Sequence, residues 1–186
     1  IVSDEKNVSL AIEDLKNFKK SVWQYPARDL LFYSSDIHGS FLSSQRADAI
    51  KHIIEDEDAV IVTTIDALME PIQPKSKLLD KKLRLYEGMV IKPTVLSQAL
   101  TELGYHHTSE VETSGEYAVR GGIFDIYPMS SEEPYRVEFF DDEIDTIRMF
   151  DIASQCSTDR TEEIEIYPAD NTDAHADKSE HVSLYT

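Results

Sequence analysis

Two segments of this sequence show a clear strand pattern: YAVRGGIFDIYP at residues 117–128 and YRVEFFDDEIDTIRMFD at residues 135–151. Apolar and polar side chains alternate through both segments, which is typical of strands that bury one face. Short polar stretches at residues 129–134 and 141–142 separate the apolar runs and suit turns. We therefore predict antiparallel strands joined by hairpins.

One amphipathic helix is predicted before these strands, with its apolar positions at Leu96, Ala99, Leu100 and Leu103. Gly104 follows at once and is a typical residue at the C-terminal end of a helix. A helix followed by antiparallel strands predicts a small α+β domain, which we place at residues 87–168. Residues 169–186 are polar and without periodicity, so we predict a linker or the start of a next domain there.

Residues 1–86 show a different order, in which helical and strand patterns alternate. The uninterrupted apolar run at residues 59–62 suits a strand buried on both faces, as in a parallel sheet. The first strand is reduced to residues 1–2, and the chain begins with Ile1 rather than Met. The sequence therefore predicts an incomplete α/β domain at the start of a fragment from a longer chain.

The 186 residues include 36 acidic and 18 basic side chains, a net charge of −18. Residues 1–86 hold 14 acids and 12 bases, whereas residues 87–186 hold 22 acids and 6 bases. Such a difference predicts two units with different surfaces. Because acidic surfaces repel phosphates, the balance argues against strong general binding of nucleic acid.

The single cysteine, Cys156, excludes an internal disulfide and predicts a location in the reducing cytoplasm. No apolar run approaches the roughly 20 residues of a membrane-spanning helix, so no membrane association is predicted.

Motifs for catalysis and cofactor binding are absent from the sequence. None of the six glycines is followed by the Lys-Ser or Lys-Thr pair of a phosphate loop. There is neither a cysteine pair nor a metal-binding HExxH motif, and no GxSxG motif marks a nucleophile. We predict no catalytic residue, no metal and no cofactor for this chain.

A candidate binding surface follows from strand alternation. Arg136, Glu138 and Phe140 alternate with apolar residues that must face the core, so they are predicted to point outward. Arg120 lies in the neighbouring strand segment, beside a Gly-Gly pair that suits a bulge. Arginine with an exposed aromatic is typical of a protein-binding hot spot. The alternative is that both arginines only neutralise local acids and that Phe140 is covered by another element.

GEYAVRGGIFDIYP (residues 115–128), followed by YRVEFFDDEIDTIRMFD, resembles the nucleotide-excision-repair module that UvrB shares with bacterial transcription-repair coupling factors (Mfd proteins). The resemblance is close from residue 85 to residue 168 and looser before that. Asp141 stands where UvrB commonly has glycine, and aspartate tolerates a positive φ.

Residues 25–74 separate the two members of this family. UvrB has a long tyrosine-rich hairpin here that stacks on a DNA strand, whereas this connection has only Phe32, Tyr33 and Phe41. The sequence therefore favours the coupling factors. The alternative is a fragment of UvrB, the DNA-binding excinuclease subunit.

The resemblance implies that residues 1–86 are part of a UvrB-like, helicase-like domain without a working ATPase site. It implies that residues 87–168 bind UvrA through Arg120, Arg136 and Phe140, with Glu138 as a weaker candidate. Replacement of either arginine by alanine is expected to weaken that binding by about 1–3 kcal/mol and to leave folding nearly unaffected.

For function, the resemblance implies a non-catalytic module that recruits UvrA to an RNA polymerase stalled at a lesion. The full-length protein is expected to be an ATP-dependent DNA translocase. Its contacts with ATP, RNA polymerase and double-stranded DNA would then belong to parts absent from this chain.

Overall fold

The computed structural model describes residues 1–19, 21–28, 36–55, 58–72, 81–169 and 182–183. The chain divides into two compact units, one comprising Ile1–Asp80 with Asp170–Thr186 and the other Lys81–Ala169. In chain order the described elements are α1 (Glu5–Lys16), β1 (Val22–Tyr25), α2 (Asp36–Glu55), β2 (Val60–Thr63), α3 (Ile65–Met69), β3 (Pro71–Ile72), β4 (Leu83–Tyr86), α4 (Pro93–Glu102), β5 (His106–Thr108), β6 (Glu116–Arg120), β7 (Ile123–Ile126), β8 (Tyr135–Phe140), β9 (Glu143–Phe150), β10 (Ser157–Thr161), β11 (Glu163–Ile166) and β12 (Val182–Ser183).

In the first unit, β1 and β2 pair in parallel, with Val22 opposite Val60 and Tyr25 opposite Thr63. Helix α1 begins after Asp4, whose carboxylate accepts a hydrogen bond from the backbone N–H of Asn7 and so satisfies a free donor of the first turn. Buried side chains lie on both faces of the strand pair, in two separate clusters. In the described part of this unit, the parallel pairing therefore comprises β1 and β2, and Val2 adds one parallel bridge to Thr64.

In the second unit, six strands form one sheet in the order β10, β9, β8, β7, β6, β5. All neighbours in it are antiparallel except β5 and β6. Helix α4 covers one face, where the hydroxyl of Tyr117 lies 3.0 Å from the hydroxyl oxygens of both Ser97 and Thr101. Leu96 and Leu100 are fully buried on this helix. The chain is thus mixed α/β, with few helices and several antiparallel strands.

The division between the units differs from the predicted one. Strand β4 pairs with β11, and Leu85 at its centre is fully buried, so these residues belong to the second unit. The prediction ended the first unit at residue 86. It missed this pairing because strands of four residues carry too little sequence pattern to indicate which strand they pair with. At the other end, Val182–Ser183 pairs with Pro71–Ile72, within the predicted linker. Phe32 and Tyr33, which entered the comparison with UvrB, lie outside the described residues.

Candidate protein-interaction site

Strand register places the predicted binding residues on one face of the six-stranded sheet. Arg120 lies opposite Ile123, and Ile123 lies opposite Glu138 on the next strand. Residues directly opposite each other share a face, and Arg136 and Phe140 share that face with Glu138 by alternation along β8. We call this side of the sheet, opposite to helix α4, the arginine face.

Asp125 lies at the centre of the arginine face and binds two guanidinium groups. Its carboxylate accepts hydrogen bonds from Nε of Arg136 at 2.7 Å and from Nη2 of Arg136 at 3.0 Å. Nη2 of Arg120, from the other neighbouring strand, donates to the same carboxylate. Because the side chain of Asp125 is only 2% exposed, this carboxylate depends on the two arginines for its stabilisation.

Asp125 was not among the residues predicted from the sequence. Because Asp125 alternates with the apolar residues Phe124 and Ile126, the sequence pattern alone places its side chain on the outward side of the strand. What the pattern lacked was the register that places Asp125 directly opposite Arg136.

Arg136 is more covered than predicted. Its side chain is 14% exposed, Nη1 donates to the backbone oxygen of Gln155 at 3.1 Å, and the guanidinium lies 4.9 Å from the ring centre of Phe150. The hydrogen bonds to Asp125 raise the pKa of Arg136 further, so it stays charged. The expectation of an exposed Arg136 was therefore wrong: Gln155 and the ring of Phe150 lie against it.

A small apolar cluster explains why part of the arginine face is buried. Ala118 and Phe150 on the sheet pack with Val111, and Tyr127 is partly buried against them. An apolar patch of this kind is stabilised when a neighbouring segment covers it. The face is thus divided into a covered part around Arg136 and an open part toward Phe140.

The open part contains the other predicted residues. The side chain of Arg120 is 46% exposed, and Phe140 is 75% exposed. Glu138 is half-buried and accepts a hydrogen bond from Oγ1 of Thr146 at 3.1 Å. Of the four predicted residues, Arg120 and Phe140 are therefore the most accessible.

Two tight turns border this open part. Gly121 has a φ of +63° in the turn between β6 and β7, and Asp141 has a φ of +54° in the turn between β8 and β9. The backbone N–H of Phe139 donates to the oxygen of Gly122 at 2.8 Å, which keeps the two turns beside each other. Asp141 thus takes a positive φ, which aspartate was expected to tolerate at this position.

Three arginines from adjacent strands lie in one row on the arginine face, since Arg148 is opposite both Arg136 and Arg160. Nε and Nη2 of Arg160 each donate to the carboxylate of Glu87 at 2.7 Å, and these bonds lower the pKa of Glu87. Arg148 has a buried Nε without an acceptor in the part of the chain that the structure describes. The carboxylates of Asp125 and Glu87 offset the repulsion within this row.

No cluster of three or more metal-ligating side chains occurs among the described residues. None of the described helices is long and apolar enough to cross a membrane.

The family described as "UvrB interaction domain" matches residues 83–171. Over 150 residues, or 81% of this chain, the sequence is 34% identical to a transcription-repair-coupling factor of Bacillus subtilis. The coupling factor of Escherichia coli is 32% identical over 170 residues, and that of Haemophilus influenzae is 32% identical over 150. The chain spans 13%, 15% and 13% of the length of these three relatives.

Proposed function

The chain belongs to the transcription-repair-coupling factor family and contains a UvrB interaction domain, and from this we propose that its second unit docks UvrA in nucleotide excision repair. The match to coupling factors agrees with the choice that the sequence favoured over UvrB. The domain is a non-catalytic module, so docking rather than chemistry is the activity to explain.

The observation that best supports docking is that an exposed aromatic and an oriented guanidinium lie on the same open face of the sheet. In the described part of the chain, both hydrogen bonds from Arg120 use Nη2, toward Asp125 and toward Oε1 of Gln155. The donors on Nε and Nη1 are then available for carbonyl or carboxylate oxygens of UvrA. Phe140, at 75% exposure, suits an apolar pocket on the partner.

The other two predicted residues have different parts in this proposal. Arg136 positions Asp125 and the backbone of Gln155, and so acts on UvrA binding mainly through the residues it holds. Glu138 lies two residues before Phe140 on β8 and is separated from Arg120 by Ile123 of the strand between them. Its negative charge there favours basic groups of the partner.

In the whole coupling factor, docking of UvrA would bring the repair machinery to an RNA polymerase stalled at a lesion. We assign ATP use and the contacts with polymerase and double-stranded DNA to regions outside this chain. The first unit is proposed as part of a helicase-like parallel sheet, of which β1 and β2 are two strands. No cofactor or catalytic residue of this chain is needed for docking.

The test is titration calorimetry of this chain with purified UvrA. Arg120→Ala and Phe140→Ala should each weaken binding by about 1–3 kcal/mol, because both truncate central contacts. Arg84→Ala is the matched control, since Arg84 is also exposed and paired with a carboxylate but lies on β4, outside the six-stranded sheet. Unchanged binding in the Arg120→Ala, Phe140→Ala double variant would contradict the proposal.

A further inference from the structure

Phe140 does not stand alone at the end of the arginine face. It lies opposite Glu143 on β9, and Glu143 is bridged on its other side to Val90. Residues directly opposite each other in a sheet have Cβ atoms about 5 Å apart, so the three side chains form one row about 10 Å long. Phe140 and Val90 thus flank Glu143 on the same side of the sheet.

Val90 is held in place by its neighbours. The backbone N–H of Ile91 donates to the oxygen of Asp142 at 2.8 Å, and that of Ile144 donates to the oxygen of Met89 at 2.9 Å. Despite these bonds Val90 is 74% exposed, and it and Phe140 are the two most exposed large apolar side chains in residues 81–169. Two fixed, exposed apolar groups in one row indicate a contact surface.

The charges around this row are mostly negative. Four exposed acids occupy the hairpin that contains it: Asp141, Asp142, Glu143 and Asp145. Of the four arginines that the structure describes on the same face, Arg120 and Arg136 share the carboxylate of Asp125 and Arg160 pairs with Glu87. Arg148 and one charge of the Asp125 group are then the positive charges left there, and both belong to the part of the face away from the hairpin. The surface around Phe140 and Val90 is therefore complementary to basic rather than acidic groups.

We propose that the docking surface extends from Phe140 across Glu143 to Val90, and that it takes an apolar patch of UvrA rimmed by lysine or arginine side chains. This inference rests on the proposed function, since it names the chemistry of the partner surface. It adds Val90 and the acidic hairpin to the contact residues.

The apolar part is tested by calorimetric titration of the whole chain with UvrA. Val90→Ser should weaken binding about five- to tenfold, because it removes an apolar group that the complex buries. Val95→Ser is the matched control: Val95 is 52% exposed but lies on α4, outside the row, and its replacement should leave the affinity unchanged. Equal affinity of Val90→Ser and the unmodified chain would overturn the assignment of Val90.

The charged part is tested with an Asp141→Asn, Asp142→Asn double variant, in which asparagine tolerates the positive φ at residue 141. UvrA affinity should fall severalfold at low salt, and its dependence on salt should become weaker. A double variant with Asp66→Asn and Asp159→Asn removes two exposed acids outside the hairpin and should behave like the unmodified chain. Tighter binding of the hairpin variant would overturn the basic partner surface.

The outcomes separate this inference from the proposed function. If the unmodified chain binds UvrA and Phe140→Ala weakens it while the Val90 and hairpin variants do not, the function stands and the extended surface is wrong. If the unmodified chain does not bind UvrA, both are wrong.

Discussion

Asp125 organises the arginine face, because guanidinium groups from both neighbouring strands bind its one carboxylate. A buried carboxylate is stable only when its partners neutralise it and satisfy its oxygens. Arg136 supplies two hydrogen bonds and is itself largely buried, whereas Arg120 supplies one and is half exposed. The two arginines that the sequence treated alike are therefore expected to differ in their effect on stability.

Arg136→Ala should lower the free energy of unfolding by about 3 kcal/mol, because it leaves the Asp125 carboxylate buried with Arg120 as its remaining charged partner. This differs from the expectation that replacing either arginine leaves folding nearly unaffected. Arg120→Ala is the comparison and should lower it by only about 1 kcal/mol, because Asp125 loses one hydrogen bond and keeps both of those from Arg136. Urea unfolding of the whole chain measures both, and equal midpoints for the two variants would contradict the buried-pair argument.

The ion pair of Glu87 with Arg160 determines the direction in which the stability of the fold changes with pH. The hydrogen bonds from Arg160 are the main reason that the pKa of Glu87 lies below its ordinary value of 4.5. A carboxyl whose pKa is lowered by folding stabilises the folded state above its unfolded pKa, and that contribution is lost as the pH falls through the folded pKa. Glu87→Gln should therefore reduce the loss of stability between neutral pH and pH values below 4.5. Denaturant midpoints across that range test this, and parallel curves for the variant and the unmodified chain would contradict it.

At the scale of single elements, alternation within β8 predicted that Arg136, Glu138 and Phe140 share a face, and the register places Arg120 on the same face. Alternation does not show which positions on a face are covered. Arg136 is covered by residues after β9, where Gln155 takes a positive φ of 57°. That segment has no periodicity and no glycine, so its path over the sheet was not predictable from local sequence.

Tyr105 links two connections outside the strands. Its hydroxyl donates to the backbone oxygen of Tyr167 at 3.0 Å and accepts from the N–H of Met129 at 3.1 Å, and burial raises its pKa. Tyr105→Phe should lower the free energy of unfolding by about 1–3 kcal/mol, because it removes two buried hydrogen bonds.

Tyr86→Phe is the matched control for Tyr105→Phe, since Tyr86 is 47% exposed and should tolerate the loss of its hydroxyl. Chemical denaturation of both variants compares the two tyrosines. If the Tyr105→Phe protein were as stable as the Tyr86→Phe protein, the two hydrogen bonds of the Tyr105 hydroxyl would make no net contribution to the free energy of unfolding.

For the whole molecule, the difference in charge between the two parts of the sequence indicated two units before any pairing was known. The position of the division depended on a contact that sequence periodicity does not encode. Leu83–Tyr86 pairs with Glu163–Ile166, almost 80 residues later, and each strand has only four residues. Local patterns predicted that these segments exist, whereas the long-range pairing needed the structure.

This pairing predicts how the domain can be isolated. Residues 81–169 should fold alone and bind UvrA as the whole chain does, because Leu85 and its strand remain paired. Residues 87–168, the boundaries that the sequence suggested, lack β4, so the buried residues of β11, Ile164 and Ile166, lose their cover. That shorter piece should lose cooperative thermal unfolding by circular dichroism and bind UvrA more weakly by calorimetry. Equal unfolding and equal binding of the two pieces would show that the β4 pairing does not hold the domain together.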